Sequence, residues 1–539
     1  MIMWLPAVAL LLPLACALAC ASPRFGRHVM PRLLGLVPLP AFFAALFAYG
    51  QPGFRIGAFG FFMDAPGAML LGSAAVLWSA AGFFAVASLG SGPSFGRFQV
   101  FWLLTMSGSF GVFLASDLLS FLTMFALASL PAYGLVVQDG TPAAQSAGKV
   151  YLAFALLGES LLLVGFALLA WNSPGGSLVI VEAVGALAGS PLRDFTLACL
   201  VGGFAMKLGL VPAHFWLPLA HPAAPAAGSA VLSGVIIKSG VIGLIRFLPM
   251  EMPLADWGLG LAVAGLVAAI YGVVIGMTQS NPKTILAYSS VSQMGVIASL
   301  LGMGLVAGDP SVGWDAAFYA MHHLFAKGAL FLAAGVVAAG NNRPRWAVFA
   351  PATLIALGMA GLPFTGGALA KIAAKNVFGS GLTATFAAVS AAGTALLMIH
   401  FLRQLFGRQQ AAAAVRFRGR ILVPFLALAV TGFAVRWAVY LAAGLGDFAK
   451  PFSRGAFWDS LWPVLAGGVA AALLWGVRWP AIPPGDVGTW LLRLSAREGG
   501  GPSLPAGLSP AGWWPVALIA LLVVMIVLAV LLAMTPGTL

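Results

Sequence analysis

Lys207-Leu-Gly-Leu-Val-Pro212-Ala-His214-Phe-Trp-Leu-Pro218, followed by His221-Pro222 and Pro225, is an apolar run with a charge and several helix breakers inside it. Proline removes a helical donor and glycine relaxes the backbone, so a span over 195–219 is expected to break partway. A broken helix at membrane depth is tolerated only where it is buried in protein or lines a wet cavity. A second stretch of the same design, Gly361-Leu-Pro363-Phe-Thr-Gly366-Gly367 and then Lys371 and Lys375, comes five spans later. For either break alone a packing kink is the plainer reading. Two breaks, each with a lysine beside it, instead point to inverted repeats with a pathway near the midplane.

Working outward, the whole chain is apolar. Of 539 residues 61% are hydrophobic and 8% charged, against about 25% charged in soluble domains. This excludes a soluble globular protein, and disorder with it. A span needs roughly 20 residues. Apolar runs between breakers predict sixteen, near 4–21, 31–50, 66–89, 98–115, 117–137, 148–171, 195–219, 228–249, 257–279, 283–305, 315–340, 347–378, 382–406, 420–445, 458–479 and 514–534. The first lacks a basic leading region and is read as a retained span rather than a cleaved signal. The expected fold is an all-α polytopic membrane protein of about 16 helices, with two inverted five-helix repeats and two broken helices. The expected segments are 1–97 (three helices), 98–249 (first repeat), 257–406 (second repeat) and 420–539 (C-terminal helices with a short interfacial segment). Cys16, Cys20 and Cys199 lie in apolar runs without disulfide or metal spacing.

Basic residues set the expected topology. Sixteen of the 27 fall in odd-numbered loops and five in even-numbered ones. Short cytoplasmic loops are enriched in Lys and Arg, so both termini are expected on the non-cytoplasmic side of a cell inner (plasma) membrane. The net +13 is then topological and calls for no nucleic acid. The basic run from Arg403 to Arg420 either receives a soluble partner on the cytoplasmic face or simply obeys this bias.

Six basic residues sit inside spans: Lys207, Lys238, Lys327, Lys371, Lys375 and Arg436. Beside them lie Glu159, His322, His323 and His400. An ionisable group at mid-bilayer costs from ~2.5 to well over ~10 kcal/mol, and such groups usually face the bundle interior and mark ion or proton paths. Arg436 and Lys375 are near enough to span ends to snorkel to a headgroup. For the other lysines the plain alternative is structural pairing with a backbone carbonyl or another charge. Poor solvation pulls a lysine toward neutrality, and histidine titrates there unaided, so a water-bridged row of them can relay protons. His323 and Lys327 are four apart and share a helix face, as do Lys371 and Lys375. His322 points about 100° away from His323. No nucleophile–base arrangement, nucleotide loop or metal spacing is present, so no catalytic site, cofactor or metal is expected; the chemistry on offer is proton or cation movement.

The segment Met206-Lys207 through His214, Trp216, His221-Pro-Ala-Ala-Pro225 and on to Lys238-Ser-Gly resembles the antiporter-like membrane subunits shared by respiratory complex I, Mrp antiporters and membrane hydrogenases. Its His-Pro-Ala-Ala-Pro element is most similar to the hydrogenase-4 and formate hydrogenlyase branch. Asn281-Pro-Lys283 through Gly295, His323-Leu-Phe-Ala-Lys327 and Gly361-Leu-Pro363 through Lys371 match later family motifs, in order, over about residues 100–410. The resemblance implies a proton-translocating subunit working with other membrane subunits. It makes Lys207 the lysine of the first broken helix, Lys238 the connecting lysine, His323 and Lys327 the central axis, and Lys371 the exit-side charge. His214, His322, Lys375 and His400 are further candidates. The family's fifth helix usually carries a glutamate where this chain has Phe125-Ala126. Glu159, the one carboxylate well inside a span, is expected to take its place beside Lys207; a structural hydrogen bond is its alternative role. Asp117, at a span boundary, is expected to cap or face water. Other functions left open are an Mrp-like sodium/proton antiporter subunit, a proton-driven partner of inorganic-carbon uptake, and a non-conducting structural subunit. Whether the chain belongs to a proton-pumping oxidoreductase is open as well.

Overall fold

The computed structural model describes residues 2–484 except 91–92, 340–345, 380, 408–418, 443, 446, 478 and 481. The span expected at 514–534 and the interfacial segment expected around 487–497 lie outside the described residues. Among the described residues, eleven helices are long and apolar enough to cross a membrane. The protein is a polytopic all-α membrane protein. The expected spans are not matched one for one, because prolines and glycines divide several. Pro38 separates Met30–Leu33 from Leu39–Phe47. The two punctuated runs become Arg193–Leu208 plus Trp216–Ala223, and Trp346–Ala360 plus Gly366–Phe378.

Burial orders the bundle. In Ala226–Phe247 and Val312–Ala338, 94% of the most apolar stretch is buried, against 22% in Arg454–Leu473. The first two form the centre and the last is peripheral. Leu18, Trp171 and Leu473 are exposed on the outer surface, a position suited to lipid rather than water. With no hydrophobic drive between helices in lipid, close packing has to come from small residues. Ala255–Met277 and Pro282–Ala307 show this: a Cβ on Gly265 would overlap the Gly295 carbonyl oxygen, and one on Gly295 the Gly265 carbonyl oxygen.

Polar side chains fix the helix ends. Asp64 caps Ala65–Leu89 by accepting from the Gly67 amide at 2.7 Å. It is also gripped by Arg246 from Lys238–Phe247, through Nε at 2.9 Å and Nη2 at 2.7 Å. The same guanidinium donates to the carbonyls of Val112, Phe113 and Ala115, at the end of Pro93–Leu114. Those carbonyls have no intrahelical partner. One arginine thus joins three helix ends. Asp117 caps Leu118–Ser129 and also accepts from the Gly60 amide at 2.6 Å. Gly60 belongs to an antiparallel hairpin, Phe54–Ile56 with Phe59–Phe61, in register Arg55 opposite Gly60. Nothing in the apolar runs announces this hairpin.

Candidate functional site

The first polar cluster is built on a glycine crossing. Pro142–Asn172 and Arg193–Leu208 approach at Gly158 and Gly203, where a Cβ on Gly203 would come within 2.8 Å of the Gly158 carbonyl oxygen. Glu159 follows the first glycine, and Lys207 lies one turn beyond the second. The helix stops at once after Lys207, because Gly209 turns left-handed at φ 69°. Both charged side chains are 5% exposed and within electrostatic range of each other. The Lys207 ammonium donates to the Ser129 hydroxyl and lies 5.1 Å from the centre of the Phe125 ring. Ser129 is held by its own bond to the Phe125 carbonyl and by Tyr151, whose hydroxyl donates to the Ser129 carbonyl at 2.8 Å. Among the described residues no donor reaches a Glu159 oxygen with full hydrogen-bond geometry, and the Ser129 hydroxyl is the side-chain group that comes near it. A cavity of about 10 Å³, lined by Phe125, Tyr151, Gly158, Lys207 and Trp216, lies beside the lysine, and that is about the space one water needs. Ala126 stands one turn from Ser129 and packs against Leu130 and Leu152. The position without its acid therefore borders the same cluster.

The second cluster occupies the centre. Before Lys238 the helix widens into a π-turn over Leu232–Ile236, a distortion common at functional sites. Lys238 folds back to donate to the Ser233 carbonyl at 2.8 Å, and its nitrogen is 2.5 Å from His323 Nδ1. One turn further along Val312–Ala338, Lys327 donates to the Leu286 carbonyl at 2.6 Å and to the Ser289 hydroxyl. His221 is fully buried, and its ring nitrogens have no hydrogen-bond partner among the described residues. It lies against Phe331 and within electrostatic range of Lys238, Lys327 and Lys283. Lys283, at the start of its helix, donates to the Ala224 carbonyl at 2.6 Å. His221 was not among the candidates expected from sequence. Its signal was the His-Pro pair in the opening stretch, where the prolines drew attention from the ring. His214 sits in the break itself, with Phe215 at 4.6 Å and Tyr271 at 5.0 Å between ring centres.

The third cluster surrounds the second break. Trp346–Ala360 ends there, leaving carbonyls without helical partners, and Lys371 donates to that of Ala360. His322 turns away from His323, as the helical angle requires, and its Nδ1 lies 3.0 Å from Arg436 Nη1. Arg436 is only 6% exposed. It is turned into the bundle and does not snorkel to a headgroup. From Lys371 a cavity of about 460 Å³ runs past Gln293, Tyr319 and Thr394 to Lys375 and Asp459. Tyr319 donates to Gln293 at 3.0 Å, and Gln293 to Thr394 at 3.0 Å. Lys375 is outside this buried set; it is exposed and paired with Asp459 at 2.5 Å. His400 also lies apart, with Nε2 2.7 Å from the Gln279 carbonyl in a separate pocket that includes Arg403 and Trp475. The structure thus brings together Glu159 with Lys207, Lys238 with His323 and Lys327, and His322 with Lys371. Among the described residues, no group of three or more His, Cys, Asp or Glu is arranged to hold a metal.

A family model described as NADH:quinone oxidoreductase/Mrp antiporter, TM matches residues 115–398, just over half of the chain. Hydrogenase-4 component B of Escherichia coli is 32% identical over 229 residues, covering 40% of this chain and 34% of that protein. NAD(P)H-quinone oxidoreductase chain 4 1 of Synechococcus elongatus is 31% identical over 339 residues, covering 57% of this chain and 61% of that one. The chain therefore spans less than two thirds of the length of these curated relatives. Among solved structures, the Mrp complex of Dietzia sp. DQ12-45-1b contains a chain with TM-score 0.68 and 21% identity, matched over 88% of this chain and 99% of that one. A chain of the membrane-bound sulfane sulfur reductase, an archaeal respiratory membrane complex, gives TM-score 0.70 at 18% identity, over 87% and 99%. At these identities the likeness is one of fold.

Proposed function

Because the chain belongs to the NADH:quinone oxidoreductase/Mrp antiporter family of membrane subunits, we propose that it moves protons through the bilayer as one membrane subunit of a larger energy-coupling complex. In this reading Glu159 and Lys207 form the first station, and Lys238, His323, Lys327 and His221 the second. Lys371 is the last, opening toward the surface through the cavity beside Tyr319 and Gln293. The two stretches 98–249 and 257–406 act as repeats around this row, in a cell inner membrane with cytoplasmic basic loops. The observation that carries the reading is the buried Lys238–His323 contact at 2.5 Å. A lysine and an imidazole at that distance share one hydrogen bond, so a proton resting on either is available to the other. A packing contact would need neither group.

The relatives named for hydrogenase and quinone oxidoreductase components, and the multi-subunit complexes that contain the similar folds, support assembly with other membrane subunits. The driving reaction would come from such partners. The test is proton flux in proteoliposomes carrying the full chain, read with a pH-sensitive dye under an imposed potential. Flux above that of empty vesicles, lost in Lys207→Ala, is expected. Absence of flux, or a Lys207→Ala variant that conducts fully, overturns the proposal in favour of a structural subunit. Flux that requires sodium would instead assign it to the sodium/proton reading.

A further inference from the structure

Arg436 lies outside residues 115–398, the stretch matched to the family, yet it reaches the row of buried groups. It comes from Leu422–Ala442, packed beside the central helix. Its Nε donates to the Gly432 carbonyl at 2.7 Å, and its Nη1 meets His322 Nδ1 at 3.0 Å. The broken helix makes room for it: a Cβ on Gly366 would overlap the arginine side chain. The next residue, Trp437, donates to the Phe364 carbonyl at 3.1 Å. Phe364 is a non-glycine residue held at φ 64°. Phe452 then stacks on Phe364 with ring centres 5.1 Å apart. Two consecutive residues of the Leu422–Ala442 helix thus hold the break and the histidine facing it.

The chemistry of the contact is directional. A guanidinium has five N–H donors and no acceptor, so the nitrogen it bonds must present a lone pair. His322 Nδ1 is therefore unprotonated, and the proton of the neutral ring is on Nε2. That nitrogen has no hydrogen-bond partner among the described residues and faces the broken helix at Gly367. A second proton would have to go to Nδ1, against the N–H already aimed there. The other charged or titratable groups around the ring are Lys238, Lys371, His323 and Tyr319, so His322 stands between the central pair and the last lysine.

We infer that Arg436 is a positioning residue that holds His322 as the neutral Nε2–H tautomer, making it a closed junction between Lys238–His323 and Lys371. Taking the guanidinium away from Nδ1 frees that nitrogen for a second proton and opens the junction. This rests on the proton-route reading for its purpose, but not for its chemistry.

The experiment uses the full chain with 15N-labelled histidine in lipid bilayers, the His322 signal being assigned by its loss in His322→Gln. In the unsubstituted chain, His322 keeps one neutral tautomer, with Nδ1 bare, from about pH 8 to about pH 5, the range in which histidine ordinarily charges. Arg436→Lys, which keeps a donor and a charge, retains that pattern. Arg436→Met, close in length but without a donor, shows a doubly protonated His322 at the acid end. A His322 already doubly protonated near pH 7 in the unsubstituted chain overturns the inference without any arginine variant, and so does an unchanged spectrum in Arg436→Met. In parallel, passive proton flux should rise at least about twofold in Arg436→Met and not in Arg436→Lys. A changed spectrum with unchanged flux overturns the junction. Absence of flux in every variant overturns the route instead and leaves the tautomer lock standing.

Discussion

Replacing Arg246 with Met is expected to cost about 3 kcal/mol of stability. The guanidinium makes five hydrogen bonds of 2.7–2.9 Å, two to Asp64 and three to carbonyls ending the 93–114 helix. Removing one member of a buried pair costs about 3–5 kcal/mol, because the partner is left charged and unpaired. The Asp64 side chain is 32% exposed, against 9% for Arg246, so water recovers part of its charge and the lower end of that range applies. The three carbonyls lose a charged donor at a helix C-terminus, where a cation is favourable by about 0.3–1 kcal/mol. Asp64→Asn is the milder change, about 2 kcal/mol: asparagine keeps the cap and the three carbonyls still accept from Arg246, but the buried guanidinium loses its counter-charge and one of the two oxygens that accept from it. The assay is unfolding of the detergent-solubilised chain, with hydrogen exchange at Gly67 and Ala68 reporting the cap. Loss of stability should follow the order Arg246→Met, then Asp64→Asn, then unsubstituted, with the double variant less damaged than the sum. An Arg246→Met chain within about 0.5 kcal/mol of the original, or an Asp64→Asn chain equally damaged, would refute it.

Three further outcomes follow from the packing and the buried charges. Glu159→Gln should lower proton flux about tenfold or more, and adding Ala126→Glu should restore part of it; full conduction by the single variant would remove Glu159 from the route. Gly203→Val, which overpacks the crossing with Gly158, should cost about 1–3 kcal/mol and reduce flux with both charged side chains intact, as read by unfolding and dye assays on one preparation. Gly265→Leu should prevent a stable fold, since its side chain would enter the backbone of the 282–307 helix; a monodisperse, helical product on size exclusion and circular dichroism would contradict the packing described.

The broken helices were legible because proline and glycine act locally: the breaks after Lys207 and after Ala360 fall where the punctuation predicts. The lysines at those breaks were legible for the same reason. The Glu159–Lys207 approach was visible only as a missing acid, since the two residues are on different helices and the glycine crossing joining them has no spacing rule. His221 was hidden by its prolines. Arg436 looked like a snorkelling residue because apolar length does not say which way a side chain points at a given depth. Lys375 shares a face with Lys371 by spacing, but the helix ends at Phe378, so its last turn leaves the bundle and meets Asp459. The hairpin over residues 54–61 depends on Asp117 and Ser120, about sixty residues away, and no local pattern conveys that.

The central claim is that protons cross by way of the buried row, and Lys238 is where the row makes its direct contact with His323. The decisive measurement is proton flux through proteoliposomes of Lys238→Gln beside His400→Ala. The account predicts a loss of about tenfold or more for Lys238→Gln, with His400→Ala unchanged because its side chain lies in a separate pocket off the row. Full flux in Lys238→Gln, or an equal loss in both, would contradict it.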